Sequence, residues 1–558
     1  MPSRLRSLLR SRALVPWALW ALFVFRGLVY LAVTPVWEGF DEHQHYAYVQ
    51  LVAEQGRLPI PGRDAVSREV EASLELLPLP WELKGSGLGP THEEYWRLGE
   101  EERGVRQAAL RSLPAAAPRD PAGTENPHLR LYESQQPPLY YLLASAPYRL
   151  FQGAGLLARV FALRLFSLLL ASAAVPLLFL AARRAFGEDS LAAWTTAAAA
   201  CMPGLMVGVV RVGNDALAVS LMTLLAWLSL AWETLSARRC VALGLLLGAG
   251  LLTKAFFFPV VPALALLAIV RNHREGRGWP AAAGRAGLVL AACAAVSGLW
   301  FARNLALTGT LTGVMQSVAL AGTPVLAYLL AVPRVDWYNA VDSLLVSHIW
   351  FGNWSFLGLR AWVYKLFMTL YLLAAAGLAG WVPAWRRRRD GAAVISAGAA
   401  LTLLNFAAWF WLGLLYHVLI TWMASGQSSS AGWYLYCLVA PEAILLVAGL
   451  CRWVPAGKRR PVPALLCGLF VLLDLWGMFL VMIPYYTGQI VHRGAGPAVA
   501  SFQLFRLTGA QLGEMLSRLA ENRLSLMTPG FYAMLLGIHL LLSAGLLVMA
   551  GRRLARRS

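Results

Sequence analysis

Long apolar runs constrain this chain more than any other feature of its sequence. A membrane-crossing helix needs about 20 consecutive apolar residues, because about 30 Å of hydrocarbon is crossed at about 1.5 Å per residue. The 558 residues contain many such runs, and 58% of them are hydrophobic whereas only 14% are charged. Inside lipid every backbone N–H and C=O group must be paired within the protein, so these runs are helices. The sequence therefore predicts an all-α polytopic membrane protein.

The basic residues lie in short clusters between the apolar runs, and they orient the chain because cytoplasmic loops carry an excess of lysine and arginine. The clusters are Arg4/Arg6/Arg10/Arg12, Arg183-Arg184, Arg238-Arg239, Arg271/Arg274/Arg277, Arg386 to Arg389, Lys458/Arg459/Arg460, and Arg552 to Arg557. This pattern predicts a multi-pass protein of the inner (plasma) membrane, with both termini cytoplasmic. Because it accounts for the net charge of +19, nucleic acid is not expected as a partner.

Threading the apolar runs between the basic clusters predicts about 12 transmembrane helices. They fall at about 13–34, 161–182, 191–210, 215–234, 241–254, 256–270, 284–302, 361–384, 392–422, 434–451, 463–483 and 530–550. We expect a transmembrane module over 1–455 and a C-terminal transmembrane pair over 456–558. The outer segments, at about 35–160, 303–359 and 486–528, hold most of the acids and histidines, and the first carries short juxtamembrane helices. The chemistry is therefore predicted on the extracytoplasmic face.

The first outer loop opens with two adjacent carboxylates, Asp41 and Glu42, followed by His43 and His45. If a helix starts here, Asp41 and His45 share one of its faces. Such a carboxylate could deprotonate a hydroxyl, and Asp41, Glu42 and His45 together could bind a divalent metal cation. An ordinary helix start with Asp41 as N-cap is the alternative.

The same loop ends with Glu133, followed by Gln136, two prolines and Tyr140. The prolines fix an extended approach and then permit a helix start, which holds Glu133 at the membrane surface. A turn with interfacial tyrosines explains the same residues without a function.

Three cations on the predicted outer side break the orienting pattern: Lys254, Arg303 and Arg211. An outer cation is a candidate for holding an anionic substrate group such as a lipid phosphate. Lys254 could instead extend to the membrane surface, and Arg211 could simply pair with Asp215.

Further polar residues lie in or beside the apolar runs. His348 lies on the outer side and is a candidate for substrate binding. Glu442 and Asp474 lie inside predicted spans, where carboxylates are costly and usually have a partner or a function. The sequence does not assign the two acids.

Several short motifs occur in an order that resembles the GT-C membrane glycosyltransferases, over about residues 15–455. They are Asp41-Glu42-x-x-His45, Gln136 to Tyr141, Asn214 to Leu217, Leu252-Thr253-Lys254, Arg303-Asn304 and Gly432 to Pro441. Within that group, the sequence resembles the branch that contains the protein O-mannosyltransferases, the aminoarabinose transferases and their bacterial relatives. One departure is Trp433, which stands where many relatives have an arginine.

This resemblance implies a GT-C-like fold and a polyprenyl-phosphate sugar donor used on the outer face. Asp41 would be the general base on the acceptor hydroxyl, with Glu42 supporting it or helping to bind a metal, and Glu133 would be the second loop acid. Lys254 and Arg303 would hold the donor phosphate. His45, Gln136, Tyr140 and His348 complete the candidate substrate-binding set, with Arg211 as a further phosphate ligand.

The leading hypothesis is therefore a membrane glycosyltransferase that moves a hexosyl or pentosyl group to a lipid, glycan or protein hydroxyl. A polymerase or ligase of lipid-linked glycans would share the donor chemistry. A transporter or flippase is less favoured, because it would need polar residues through the full membrane depth, and a non-catalytic scaffold would have no need for Asp41 and Glu42.

Overall fold

The computed structural model describes residues 14–113, 126–387, 393–494 and 496–555. Within these ranges the chain forms helices and only isolated β-bridges, so the predicted all-α class is confirmed. The α-helices are α1 (Val15–Val33), α2 (Glu42–Gln55), α3 (Arg68–Leu76), α4 (His92–Tyr95), α5 (Glu100–Arg111), α6 (Leu139–Leu150), α7 (Leu156–Ser172), α8 (Ala174–Phe186), α9 (Asp189–Ala200), α10 (Pro203–Val209), α11 (Asp215–Ala231), α12 (Ala237–Leu251), α13 (Val260–Arg274), α14 (Trp279–Thr308), α15 (Met315–Ala319), α16 (Val325–Ala331), α17 (Trp337–Ile349), α18 (Ala361–Arg386), α19 (Ala397–Ser425), α20 (Val439–Leu450), α21 (Val462–Trp476), α22 (Ile483–Tyr486), α23 (Gly509–Ala520) and α24 (Pro529–Ala555). The basic residues at 4–12, 388–389 and 556–557 lie outside the described residues.

Nine helical segments of the described chain are long and apolar enough to cross a membrane. They are Val15–Val33, Leu156–Phe186, Ala255–Arg274, Trp279–Thr308, Ala361–Arg386, Ala397–Ser425, Gly432–Trp453, Ala456–Tyr486 and Pro529–Ala555. A tenth is possible if α9 and α10, which are bent by 59° at their junction, form one span. The remaining predicted spans coincide with α11 and α12, which have 17 and 15 residues. A helix therefore occupies every predicted span, while the count of 12 stays a prediction.

The first outer loop does carry short helices, namely α2 to α6, and three chain segments distant in sequence meet at its end. The Leu139 N–H donates to the Leu252 carbonyl at 2.8 Å. The Asn214 side-chain amide donates to Gln136 Oε1 and to the Thr253 carbonyl, each at 3.0 Å. The starts of α6 and α11 and the end of α12 are thereby joined at one end of the helix bundle.

The C-terminal helices pack against the first helix through a buried ion pair. Arg26 of α1 lies 2.8 Å from Asp474 of α21, and the Tyr30 hydroxyl donates to the same carboxylate at 2.6 Å. All three side chains are buried. His539 Nε2 of α24 also lies 2.9 Å from this carboxylate. The structure thus gives Asp474, which the sequence left unassigned, its partners. The proposed division of the chain near residue 455 stays a prediction.

Candidate active site

Asp41 occupies the N-cap position of α2 in a left-handed backbone conformation, with φ of 54°. Its carboxylate makes no capping hydrogen bond. Instead it accepts a hydrogen bond from the Tyr132 hydroxyl. Left-handed backbone is uncommon for residues other than glycine and is concentrated at functional sites. The alternative of an ordinary N-cap therefore does not describe Asp41, which is half-buried and pairs with Tyr132 instead.

Glu133 is a second carboxylate beside Asp41, in a 3-10 helix that spans Tyr132–Gln135. It is 5% exposed, and its Oε2 atom has no hydrogen-bond partner. Burial and the charge of Asp41 raise the pKa of Glu133 to about 8. Burial also raises the pKa of Asp41, against the hydrogen bond from Tyr132 and the positive charges nearby. Glu133 is therefore largely protonated at neutral pH.

Two buried cations share one carboxylate close to these acids. Arg211, between α10 and α11, and Lys254, just after α12, both contact Asp215, through its Oδ2 and Oδ1 atoms respectively. The Lys254 ammonium also lies 5.1 Å from the ring centroid of Phe256 and 5.3 Å from that of Tyr434. Lys254 is 6% exposed, so it does not extend to the membrane surface. Two cations and one carboxylate leave this cluster with one net positive charge.

Arg211 connects the cations to the backbone beside Asp41. Its guanidinium donates to the Phe40 carbonyl and lies 5.3 Å from the Phe40 ring. The same ring stacks on Trp433, with the centroids 3.8 Å apart. A Cβ atom at Gly39 would stand 2.7 Å from Arg211 Cβ, so this close approach requires glycine. Trp433, the departure from the GT-C pattern, thus forms an aromatic wall of the site.

His45 lies in the same cluster, with Nδ1 2.8 Å from the Tyr141 hydroxyl. Burial lowers the pKa of His45, and the charges of Arg211 and Lys254 lower it further. Its imidazole is therefore neutral at physiological pH.

Gln136 and Tyr140 connect the first outer loop to the turn that precedes α11. Gln136 accepts the hydrogen bond from Asn214, and the Tyr140 hydroxyl accepts one from the Gly213 N–H at 3.0 Å. The Tyr140 hydroxyl also lies 2.7 Å from Ser167 Oγ, and its side chain is 0% exposed. The structure thus places both predicted substrate-binding residues in contacts between helices.

Glu42 differs from Asp41 in being fully engaged within the protein. Its carboxylate forms a two-point ion pair with Arg164 of α7, at 2.7 Å and 2.5 Å. It also accepts hydrogen bonds from the Val212 N–H at 3.0 Å and the Trp37 N–H at 3.2 Å. Glu42 is 0% exposed and its acceptor positions are occupied.

The predicted metal set of Asp41, Glu42 and His45 does not fit this arrangement. Glu42 is turned toward Arg164, and His45 Nδ1 is engaged by Tyr141. Across the described ranges no group of three or more histidine, cysteine, aspartate or glutamate side chains is arranged to hold a metal ion.

Arg303 lies near Tyr48, one member of a stacked aromatic pair. Its Nη2 atom donates to the Pro59 carbonyl at 2.6 Å, and its guanidinium lies 4.9 Å from the Trp300 ring. Its Nη1 atom is buried without a hydrogen-bond partner. The positive charge of Arg303 acts to lower the pKa of Tyr48, against the effect of burial. The Tyr48 ring stacks on the Tyr141 ring, with the centroids 3.7 Å apart. No carboxylate of the described residues lies within ion-pair distance of Arg303, which leaves its charge available.

His348 belongs to a different cluster. Its Nε2 atom lies 2.7 Å from Glu442 Oε1, which also accepts a hydrogen bond from the Tyr371 hydroxyl. These three residues line an otherwise apolar cavity of about 170 Å³. The structure therefore gives Glu442 its partner and does not bring His348 into the Asp41 cluster.

Sequence reasoning missed Tyr132, Tyr141 and Arg164. The only sequence feature that pointed to Tyr132 as a site residue was its position next to Glu133. Tyr141 lay inside a quoted motif without a role. Arg164 is an arginine within an apolar run, and such a residue needs an acidic partner, but nothing in the sequence identifies Glu42 as that partner.

Residues 135–300 match the sequence model of the family described as dolichyl-phosphate-mannose-protein mannosyltransferase. The resemblance to GT-C membrane glycosyltransferases is confirmed. The matched segment contains Arg211, Asp215 and Lys254, and it supports transferase activity. Asp41 and Glu133 lie outside it.

Two solved structures share a distant likeness with the chain. One is ArnT from Cupriavidus metallidurans bound to undecaprenyl phosphate, with 14% identity, 96% of this chain and 77% of that chain covered, and a TM-score of 0.42. The other is the Archaeoglobus fulgidus oligosaccharyltransferase in complex with Zn and sulfate, with 11% identity, 90% and 55% coverage, and a TM-score of 0.34. At these scores neither likeness bears on function. No curated protein matches the chain.

Proposed function

We propose that this protein transfers a sugar from a polyprenyl-phosphate donor to an acceptor hydroxyl on the extracytoplasmic face of the plasma membrane. The observation that carries the proposal is the Asp41 carboxylate, which is freed from helix capping and lies beside the cations Arg211 and Lys254. The description of the matched family names dolichyl-phosphate mannose, which supports a donor of the lipid-phosphate sugar class.

In the proposed reaction the acceptor oxygen attacks the anomeric carbon of the donor sugar. The new bond joins these two atoms, and the bond between the anomeric carbon and the phosphate oxygen breaks. The acceptor proton passes to Asp41, and the bonding electron pair leaves with the polyprenyl phosphate. The raised pKa of Asp41 suits it to accept the acceptor proton, because a general base works best when its pKa approaches the working pH.

The leaving phosphate gains negative charge, so cations placed beside it lower the barrier. Lys254 and Arg211 supply one net positive charge after Asp215 is counted, and Arg303, near Tyr48, supplies a further positive charge. Glu133, protonated at neutral pH, adds no negative charge that would repel the phosphate.

Glu42 is proposed as a positioning residue and not as a ligand of substrate or metal. Arg164, held by Glu42, also donates to the carbonyls of Thr34 at 2.7 Å and Pro35 at 2.6 Å. These bonds fix the turn between α1 and α2, and that turn determines where Asp41 lies.

The test is Asp41→Asn in membrane vesicles supplied with polyprenyl-phosphate sugars. We expect the transfer rate to fall about 100- to 10,000-fold, which is the usual contribution of a general base. The matched control is Asp342→Asn, which removes an exposed aspartate of the second outer loop. Mass spectrometry of glycans, lipids and proteins identifies the sugar and the acceptor.

Full transfer by Asp41→Asn would show that another group is the base. Movement of the intact lipid-linked sugar across the membrane, with no new glycosidic bond, would contradict the transferase proposal itself.

A further inference from the structure

A cavity of about 950 Å³ lies at the end of the helix bundle opposite Asp41. Helix α11 begins at Asp215, in the candidate active site, and ends at Ala231, beside this cavity. Its 17 residues span about 25 Å at about 1.5 Å per residue. The volume is at the upper end of the range of about 300–1,000 Å³ that is typical of ligand sites. The cavity is therefore large enough for a ligand and separate from the proposed catalytic site.

Three arginines line the cavity mouth: Arg184, Arg271 and Arg274. Arg184 is paired with Glu233. Arg271 and Arg274 stand three positions apart on α13 and therefore on one face of it. No carboxylate of the described residues lies within ion-pair distance of either. Two acids also line the cavity, Glu233, which pairs with Arg184, and Glu275, which pairs with Arg277 outside it, so the lining carries one net positive charge.

The hydrogen bonds of Arg271 do not neutralise its charge. Its guanidinium donates to the carbonyls of Ser229 and Trp232 and to Thr402 Oγ1. The two carbonyls belong to the last turn of α11 and the residue after it, so this contact caps that helix. Capping accounts for the position of Arg271, but it explains neither the open volume nor the presence of the exposed Arg274.

The rest of the cavity is an apolar slot between two membrane helices. Leu266 and Val270 of α13 form one wall, and Leu401, Leu404 and Ala408 of α19 form the other. Leu266 is 44% exposed and Leu401 is 52% exposed, so the slot opens toward the lipid. Cations at the mouth and apolar walls along the helices match an amphiphile with an anionic head.

We propose that this cavity binds a membrane lipid with an anionic phosphate headgroup, with the phosphate at Arg271 and Arg274 and a hydrocarbon chain between α13 and α19. The basic clusters place this end on the predicted cytoplasmic side, where basic pockets between transmembrane helices bind anionic lipid heads. Membrane proteins gain about 1 kcal/mol, or about fivefold in affinity, for each such cation near the surface.

The test measures the lipid that the purified full-length chain retains after reconstitution with an equal mixture of phosphatidylglycerol and phosphatidylcholine. Native mass spectrometry is expected to show selective retention of phosphatidylglycerol. Arg274→Gln, at an exposed position, should weaken that retention about fivefold. Ala408→Trp keeps every charge and should weaken it by filling the slot. Arg238→Gln, which removes an exposed arginine at the same end but outside the cavity, should leave it unchanged.

A second arm replaces phosphatidylglycerol with undecaprenyl phosphate and distinguishes a phospholipid from a polyprenyl phosphate as the preferred lipid. Equal retention of phosphatidylcholine, or equal losses in Arg274→Gln and Arg238→Gln, would overturn the proposal. So would undiminished retention in Ala408→Trp, because the lipid would then lie elsewhere. None of these outcomes depends on sugar transfer.

Discussion

The substitution Glu133→Gln should change how the stability of this protein responds to pH. The wild-type carboxyl has a pKa raised from 4.5 to about 8, because it is buried and lies near Asp41. A raised pKa means that the folded protein holds this proton more tightly than the unfolded chain does. The carboxyl therefore contributes stability below about pH 4.5, and this contribution is lost as the pH rises through about 8.

The size of the effect follows from the two pKa values. Each pH unit between them costs about 1.36 kcal/mol, because the unfolded glutamate is ionised there and the folded one is not. Between pH 6 and pH 9 the wild type should therefore lose roughly 3 kcal/mol relative to Glu133→Gln, which keeps the shape of the side chain but cannot ionise.

The assay is unfolding by sodium dodecyl sulfate in mixed micelles, followed by tryptophan fluorescence near pH 6 and near pH 9. The control is Glu101→Gln, which removes an exposed glutamate from α5 in the same outer loop and should follow the wild type at both pH values. Glu133→Gln should also retain sugar transfer near pH 7, where the wild-type carboxyl is already largely protonated. Parallel pH dependence of wild type and Glu133→Gln would refute the raised pKa, and loss of transfer at pH 7 would refute the protonated state of Glu133.

Two further predictions concern buried ion pairs. Glu42→Gln leaves the Arg164 guanidinium buried without a counter-charge, so unfolding in mixed micelles should show a loss of about 3–5 kcal/mol; an unchanged midpoint would show that Glu42 does not hold the turn before Asp41. Asp474→Asn should cost Arg26 its partner and destabilise by a similar amount, whereas the double variant Asp474→Asn with Arg26→Met should recover part of the loss, because removing both charges removes the unpaired one. No recovery in the double variant would indicate that packing at α21, and not the ion pair, sets the stability.

The sequence predicts the helices of this protein well because a backbone inside lipid must pair its N–H and C=O groups within the protein, which a helix does within one segment. Every predicted span coincides with helical structure. The shortest predicted span, at about 241–254, corresponds to α12, which has 15 residues. The meeting of Gln136 with Asn214 and Thr253 was also predictable in outline, since each stands at the same predicted end of a span.

What the sequence could not supply is the pairing of charges across distant segments. Arg164 lies 122 residues after Glu42, and no local pattern distinguishes this partner from other buried acids. The same holds for Asp215, whose two oxygens are engaged by cations on separate turns. Such pairings depend on the packing of helices, which hydropathy does not encode.

The contrast between Asp41 and Glu42 shows how one backbone position separates two neighbouring carboxylates. Asp41 is the last residue before the helix, and its left-handed conformation turns the side chain toward Tyr132. Glu42 is the first helical residue, and successive residues of a helix point about 100° apart. Its carboxylate is directed to Arg164, which neutralises it and holds the turn in place. Glu42 is therefore engaged in holding the turn, whereas Asp41 is the neighbouring carboxylate that accepts the proton in the proposed reaction.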